Sequence, residues 1–273
     1  MNKKLGEWGM KIGFIGAGNM AKAMLGGILM NDIFKKEEII ASDANSTVLS
    51  MIESSLGIYI TTDNKEVVRQ AEVIVLAVKP QYYESVIEEI KEQIKPHHIV
   101  VTIAPGQTLE RLEGFFGRTL KLVRTMPNTP ALVGEGMTAA CKNAEVTEQE
   151  MEYICKILSG FGKVEIVDEH LMDVVVSVSG SSPAYVFMFI EAMADAAVAD
   201  GMPRKQAYEF AAQTVLGSAK MVLETGKHPG ELKDMVCSPG GTTIEAVRVL
   251  EQKGLRSTIF EAMKACTKKA KGM

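Results

Sequence analysis

Cysteine is scarce in this chain. There are four in 273 residues, at positions 141, 155, 237 and 266, with no Cys-x-x-Cys pair. Four could close two bridges, but so long a chain is not a short secreted scaffold, and the spacing favours reduced thiols in a reducing, cytoplasmic compartment. Histidine is as rare, and no spacing of His, Cys, Asp or Glu suits a metal, so none is expected. Ser-His-Asp and Cys-His arrangements and paired carboxylates are also lacking. No apolar stretch approaches the ~20 residues of a membrane span. The apolar run at 174–178 is cut off from the next by Gly180, Ser181, Ser182 and Pro183. The run starting at Ile12 begins too late and breaks at glycine too soon for a signal-peptide core, and residues 1–9 read as a flexible extension ahead of the first strand. The net charge of −4, without a dominant basic patch, gives no electrostatic reason to expect nucleic acid or an anionic membrane.

What is present is ordinary for a globular protein, with 47% apolar and 23% charged residues in a chain long enough for two domains. The first half alternates strands and helices. Strands are expected at 11–15, 39–42, weakly at 58–60, and at 73–78, 99–103 and 120–123. Helices are expected at 21–28, 47–55, from an Asn64 N-cap to 70, after Pro80, and at 109–115. The run at 73–78 is apolar throughout, as for a central parallel strand buried on both faces. This pattern predicts a doubly wound, Rossmann-type parallel sheet. Strands at 136–140 and 163–167 and a helix at 148–159 complete the domain.

The chemistry starts at Gly16-Ala17-Gly18-Asn19-Met20-Ala21, between the first strand and the first helix. Gly16 allows the tight turn, Gly18 lets a pyrophosphate approach the backbone, and Ala21 still permits close helix–sheet packing. The helix start presents free N–H groups and a positive dipole end to phosphates. Asp43 ends the second strand. Two readings stand there: an acceptor for the ribose hydroxyls of NAD, with no Lys or Arg in 44–49 to hold a 2′-phosphate, or a cap for the following turn or helix. Lys79 reads as a cofactor neighbour or as a solvated loop residue. Ile103-Ala104-Pro105-Gly106 makes a similar strand exit, whereas His97 and His98, at the opposite end, read as surface loop residues. The cofactor-binding set is Gly16, Gly18, Asn19, Met20, Asp43, Asn64, Ala77, Val78, Lys79, Pro80 and Ala104.

From about His170 nearly everything reads as helix. Residues 183–199 carry Ala, Met, Phe and Ile on all sides, which suits a core or a subunit interface, and the amount of apolar helix surface suggests a homodimer. Ser238-Pro239-Gly240-Gly241-Thr242-Thr243 precedes a helix expected at 244–253. Two readings stand here as well: a small-anion site suited to a carboxylate, or an ordinary helix start capped by Ser or Thr. The domains are expected at 10–168 (dinucleotide binding) and 169–273 (helical dimerisation and substrate).

Five stretches together resemble the pyrroline-5-carboxylate reductase family. They are Gly13–Ala21 (GFIGAGNMA), Ala77-Val78-Lys79-Pro80, Met126-Pro127-Asn128-Thr129-Pro130, Ser179-Gly180-Ser181-Ser182-Pro183-Ala184-Tyr185, and Leu232-Lys233-Asp234 with Ser238–Thr243 (SPGGTT). The resemblance runs from about Met10 to the end, and its last stretch is the most specific. It implies a Rossmann domain followed by an all-helical dimerisation domain, and reduction of L-1-pyrroline-5-carboxylate to L-proline, the last step of proline synthesis. It implies NADPH or NADH as cofactor, with NADPH favoured by many members, and a dimer that commonly assembles into a ring of five. It also implies that Ser238, Gly240, Gly241, Thr242 and Thr243 hold the substrate carboxylate and that Thr243 hydrogen-bonds the imine nitrogen as the catalytic residue. One departure is Ser182, where glycine is usual. A related two-domain β-hydroxyacid dehydrogenase is the first alternative, but it needs a lysine in the interdomain helix, and 183–199 has none. A non-catalytic dinucleotide-sensing module is the second, and it leaves the Gly-Gly-Thr-Thr loop unexplained.

Overall fold

A computed structural model describes residues 11–272, so the extension read at 1–9 lies outside the described residues. The chain divides into two compact units, one of residues up to Ser181 together with Thr267 onward, the other Ser182–Cys266. The sequence division at 168/169 falls a short way ahead of that at 181/182.

The first unit is built on an eight-stranded sheet: β1 (Ile12–Ile15), β2 (Ile39–Ser42), β3 (Tyr59–Thr61), β4 (Val73–Leu76), β5 (Ile99–Thr102), β6 (Lys121–Met126), β7 (Gly136–Lys142) and β8 (Gly162–Ile166), ordered β3-β2-β1-β4-β5-β6-β7-β8. β1 to β6 are parallel, in register so that Ile15, Ser42, Leu76, Thr102 and Arg124 share one level at the carboxyl edge. The parallel sheet expected from the sequence is found in β1 to β6, and it is extended at this end by β7, which runs antiparallel to β6, and by β8, parallel to β7. The helices are α1 (Asn19–Met30), α2 (Ser46–Leu56), α3 (Asn64–Gln70), α4 (Tyr83–Ile90), α5 (Leu109–Phe116), α6 (Glu148–Leu158) and the short α7 (Met172–Val175).

Alternation along the strands decides which helix covers which face. Ile12, Phe14, Val73, Val75, Ile99 and Val101 pack with α1, α2 and α6, whereas Ile15, Ile74, Leu76, Val100 and Leu122 pack with α3, α4 and α5. The result is a doubly wound sandwich with the core on both sides of the sheet.

Three local expectations are corrected. Asp63, not Asn64, caps α3, accepting from the Lys65 N–H at 2.9 Å, because the carboxylate one residue earlier already reaches the first turn. His98 is buried, 4% exposed, rather than a surface loop residue. Its Nδ1 accepts the Lys95 N–H at 3.0 Å, which closes the turn into β5. Residues Glu169–Ala199 form a nearly unbroken helical run that is long and apolar enough, by length and composition alone, to cross a membrane. In the Gly180–Pro183 segment only Ser181 stands outside helix, because a π-turn at Val176–Gly180 takes up the glycine and Pro183 falls in the first turn of the next helix, where its missing N–H does no harm.

The second unit is helical: α8 (Ser182–Ala199), α9 (Arg204–Thr225), α10 (Pro229–Val236), α11 (Thr242–Gln252) and α12 (Leu255–Ala270), whose end belongs to the first unit. On α8 only Ala194 is buried, and Phe187 and Met188 are 62% and 68% exposed. Of the two settings the sequence allows for this helix, a core within the chain is therefore the wrong one.

Candidate functional site

In the first unit the candidate residues gather where the strand order reverses, between β1 and β4, at the carboxyl edge where open α/β sheets bind ligands. Gly16 has φ +99°, and a Cβ there would lie 2.7 Å from the carbonyl carbon and oxygen of Ala77. Only glycine permits that turn and that approach of two strand ends. At Gly18 a Cβ would meet no heavy atom within 4 Å. The absence of a side chain there serves no packing inside the chain and leaves room for a ligand. Gly18 is also the N-cap of α1 and contributes no side-chain cap, so the first-turn N–H groups, including those of Asn19 and Met20, face outward. Ala21, 1% exposed, packs beneath them.

Asp43 serves the loop itself. Its Oδ2 accepts the Ala17 N–H and its Oδ1 the Asn45 N–H, both at 2.8 Å. Asn45, not Asp43, caps α2. The carboxylate is thus fixed against the glycine turn, and the turn-capping alternative is realised without removing it from the edge. Asn64 lies beside it, its Oδ1 accepting from Ser42 Oγ at 2.7 Å and its Nδ2 donating to Glu89 at 2.9 Å. Ala77, Val78, Lys79 and Pro80 leave β4 at the same edge, with Lys79 exposed. Ala104 follows β5 and is buried.

Several residues that shape this edge were not anticipated. Tyr83 on α4 is buried and donates to the Leu76 carbonyl at 2.7 Å, with Thr102 Oγ1 2.8 Å away, tying α4 to the ends of β4 and β5. Burial pushes its phenol up to about 12, so it stays protonated. Arg124, 5% exposed, pairs with Glu169 at 3.0 Å, and Glu169 also accepts the Leu109 N–H at 2.8 Å. Forty-five residues separate the pair, and no local pattern announces it.

In the second unit, Ser238-Pro239-Gly240-Gly241 leads into α11. Gly240 has φ +68° and the Gly241 N–H donates to the Ser238 carbonyl at 3.1 Å. A Cβ on Gly241 would lie 2.5 Å from Ser238 Oγ, so the hydroxyl occupies the space beside the helix start. The N-cap is Gly241, without a side-chain cap. Thr242 and Thr243 stand inside the first turn rather than before it. Ordinary Ser/Thr capping is therefore not what this sequence does here. The turn offers uncapped N–H groups, the Ser238 hydroxyl and two threonine hydroxyls, a donor set suited to a carboxylate.

Comparison with known proteins bears on both units. Residues 169–273 match the family profile described as pyrroline-5-carboxylate reductase dimerisation, and residues 11–106 match that of the NADP oxidoreductases, coenzyme F420-dependent. The pyrroline-5-carboxylate reductase of Escherichia coli K12 is 52% identical over 95% of this chain and 97% of its own length. That of Methanosarcina acetivorans is 44% identical over 96% and 97%. Among solved structures, a pyrroline-5-carboxylate reductase from Coxiella burnetii superimposes with a TM-score of 0.90 at 34% identity, covering 97% of this chain and 98% of that one. The Plasmodium falciparum pyrroline carboxylate reductase, solved with NADP bound, does so at 0.88 and 33% identity, covering 96% and 97%.

Proposed function

The chain belongs to the pyrroline-5-carboxylate reductase family and reduces L-1-pyrroline-5-carboxylate to L-proline with a reduced nicotinamide dinucleotide, and from that premise we propose how its residues divide the work. The observation that carries the proposal is the pair of uncapped helix starts, α1 behind Gly18 and α11 behind Gly241. Each is a donor set for an anion, one for a pyrophosphate and one for a carboxylate.

The nucleotide fits the first of these. Gly18, Asn19 and Met20 hold the pyrophosphate through backbone N–H groups, Asp43 and Asn64 line the adenosine side, and Ala77 to Pro80 with Ala104 line the edge towards the nicotinamide. When bound, the reduced nicotinamide supplies the hydride that the imine carbon accepts. Asp43, a fixed negative charge with no Lys or Arg in 44–49 to balance a 2′-phosphate, supports NADH over NADPH. The NADP held by the Plasmodium relative is the contrary precedent. In the second donor set, Ser238, Gly240, Gly241 and Thr242 bind the substrate carboxylate. Thr243 hydrogen-bonds the imine nitrogen, orienting it and relaying a proton from solvent as the C=N bond is reduced.

The exposed apolar face of α8 serves homodimer formation, and further assembly into a ring of five dimers in the cytoplasm completes the picture. Residues 10–168 bind the dinucleotide, and 169–273 dimerise and bind substrate. The test is Thr243→Ala. The kcat should fall at least about 10-fold, the loss of one charge-assisted hydrogen bond, with nucleotide Kd unchanged. Full turnover in that variant removes Thr243 from the mechanism.

A further inference from the structure

Two sequence stretches of the first unit remain without a role in this account: Met126-Pro127-Asn128 and the Ser179-Gly180 segment. The structure joins them. Asn128 is 7% exposed, and its side-chain amide is used at both ends. Its Oδ1 accepts the Met137 N–H at 2.8 Å, and its Nδ2 donates to the Ser179 carbonyl at 3.0 Å. In a regular helix that carbonyl would accept from the residue four positions on, which is Pro183, and proline has no N–H. Asn128 supplies the missing donor from another element, 51 residues away. The carbonyl lies in the π-turn Val176–Gly180, whose closing bond runs from the Ser181 N–H to the Val176 carbonyl at 2.8 Å. A second grip comes from Met126, whose Cε lies 2.7 Å from where a Cβ on Gly180 would stand.

π-turns are less favourable than α-helix and persist where surrounding structure holds them, frequently at functional sites. This one is held from the end of β6, at the carboxyl edge that also carries Gly16, Ala77 and Ala104. We propose that Asn128 is a positioning residue for imine reduction: its amide locks the π-turn against the carboxyl edge of the sheet and so fixes the Ser179–Ser181 backbone beside the place where the nicotinamide reacts. The proposal rests on the reductase reading above. It makes Asn128 act through the π-turn and requires no contact of its own with substrate.

Asn128→Asp is the sharpest variant, because it keeps an acceptor for Met137 and removes the donor to Ser179 at nearly constant shape. Four quantities are measured on the full-length protein: nucleotide Kd, kcat with pyrroline-5-carboxylate, the isotope effect with nicotinamide deuterated at the transferred position, and hydrogen exchange of the Ser181 amide. The expected result is a Kd within about two-fold of wild type, faster Ser181 exchange, a kcat reduced about 10- to 100-fold, as small misplacements of reacting groups produce, and a larger isotope effect as hydride transfer becomes limiting. A variant with lower melting temperature but unchanged kcat and isotope effect overturns the proposal and leaves Asn128 a purely structural residue. If the carboxylate prevents folding, Asn128→Ser, neutral and too short to reach both partners, carries the same measurements. Wild-type protein without turnover would refute the reductase reading, a result distinct from unchanged catalysis in the variant.

Discussion

Gly18→Ala separates binding from folding at the glycine turn. Gly18 has φ −71° and ψ −172°, extended backbone that alanine adopts freely, and its added methyl would meet no atom within 4 Å. Stability should therefore stay within about 1 kcal/mol of wild type, because the gain from a less flexible unfolded chain roughly cancels the poorer N-cap. With the pyrophosphate bound as proposed, the methyl would stand in its path. Displacing that group from one first-turn N–H forfeits a charge-assisted hydrogen bond of about 1.5–3 kcal/mol, so Kd should rise about 10- to 150-fold. In a thermal-shift titration, nucleotide at 100 times the wild-type Kd stabilises wild type by about 2.7 kcal/mol and the variant by about 1.4 kcal/mol or less. Gly16→Ala should behave in the opposite way. Its φ of +99° and the Ala77 backbone 2.7 Å away impose left-handed strain of about 1–2 kcal/mol and overpacking of about 1–3 kcal/mol, so folding itself suffers. A Gly18→Ala protein that binds nucleotide as tightly as wild type would refute the reasoning.

Further outcomes follow from single sites. Burial, with His97 and Lys95 nearby, pushes the His98 imidazole down to about 4, whereas the unfolded chain titrates it near 6.5. Because the unfolded state binds the proton more readily, stability is complete above about pH 6.5 and falls by about 3 kcal/mol as the pH drops to 4. His98→Asn, which keeps an acceptor for the Lys95 N–H, should flatten that acid limb in urea titrations, and an unchanged limb would contradict the assignment. Asp43→Ser removes the fixed charge and should move the NADPH-to-NADH affinity ratio about 10-fold towards NADPH, a change of about 1.4 kcal/mol; a constant ratio would show that Asp43 serves only the loop. Phe187→Glu, placed on the exposed face of α8, should leave the chain folded and make it sediment as a monomer at micromolar concentration; a dimer that persists would put the interface elsewhere.

Much of the first unit was legible because each signal has a local physical cause. Buried parallel strands read as unbroken apolar runs, and Gly16 stands where the backbone geometry admits nothing larger. The direction of β7 was not legible, since a strand's own residues do not say which way its neighbour runs. Asp63 took the cap expected of Asn64, and Asn45 rather than Asp43 caps α2, because each neighbouring pair offers two similar acceptors one or two residues apart. Gly180-Ser181-Ser182-Pro183 reads locally as a break, whereas the π-turn takes up the glycine and Asn128, far away in sequence, donates to the Ser179 carbonyl that Pro183 leaves without a helical donor. His98 reads as half of a solvated pair, and its burial comes from the turn that the Lys95 N–H closes on its Nδ1. At α11 the sequence left capping and anion binding open, and the structure moved both threonines inside the helix. Tyr83 and the Arg124–Glu169 pair gave no sequence signal, because their partners come from elements that the topology alone brings together.

The central claim is that the chain reduces a cyclic imine with a nicotinamide nucleotide. The direct measurement is the near-ultraviolet absorbance of NADH or NADPH as purified protein is mixed with pyrroline-5-carboxylate, with proline quantified in the same sample. Rapid oxidation is expected, with one proline formed per nucleotide consumed. Nucleotide that binds but is not oxidised in the presence of the imine would contradict it.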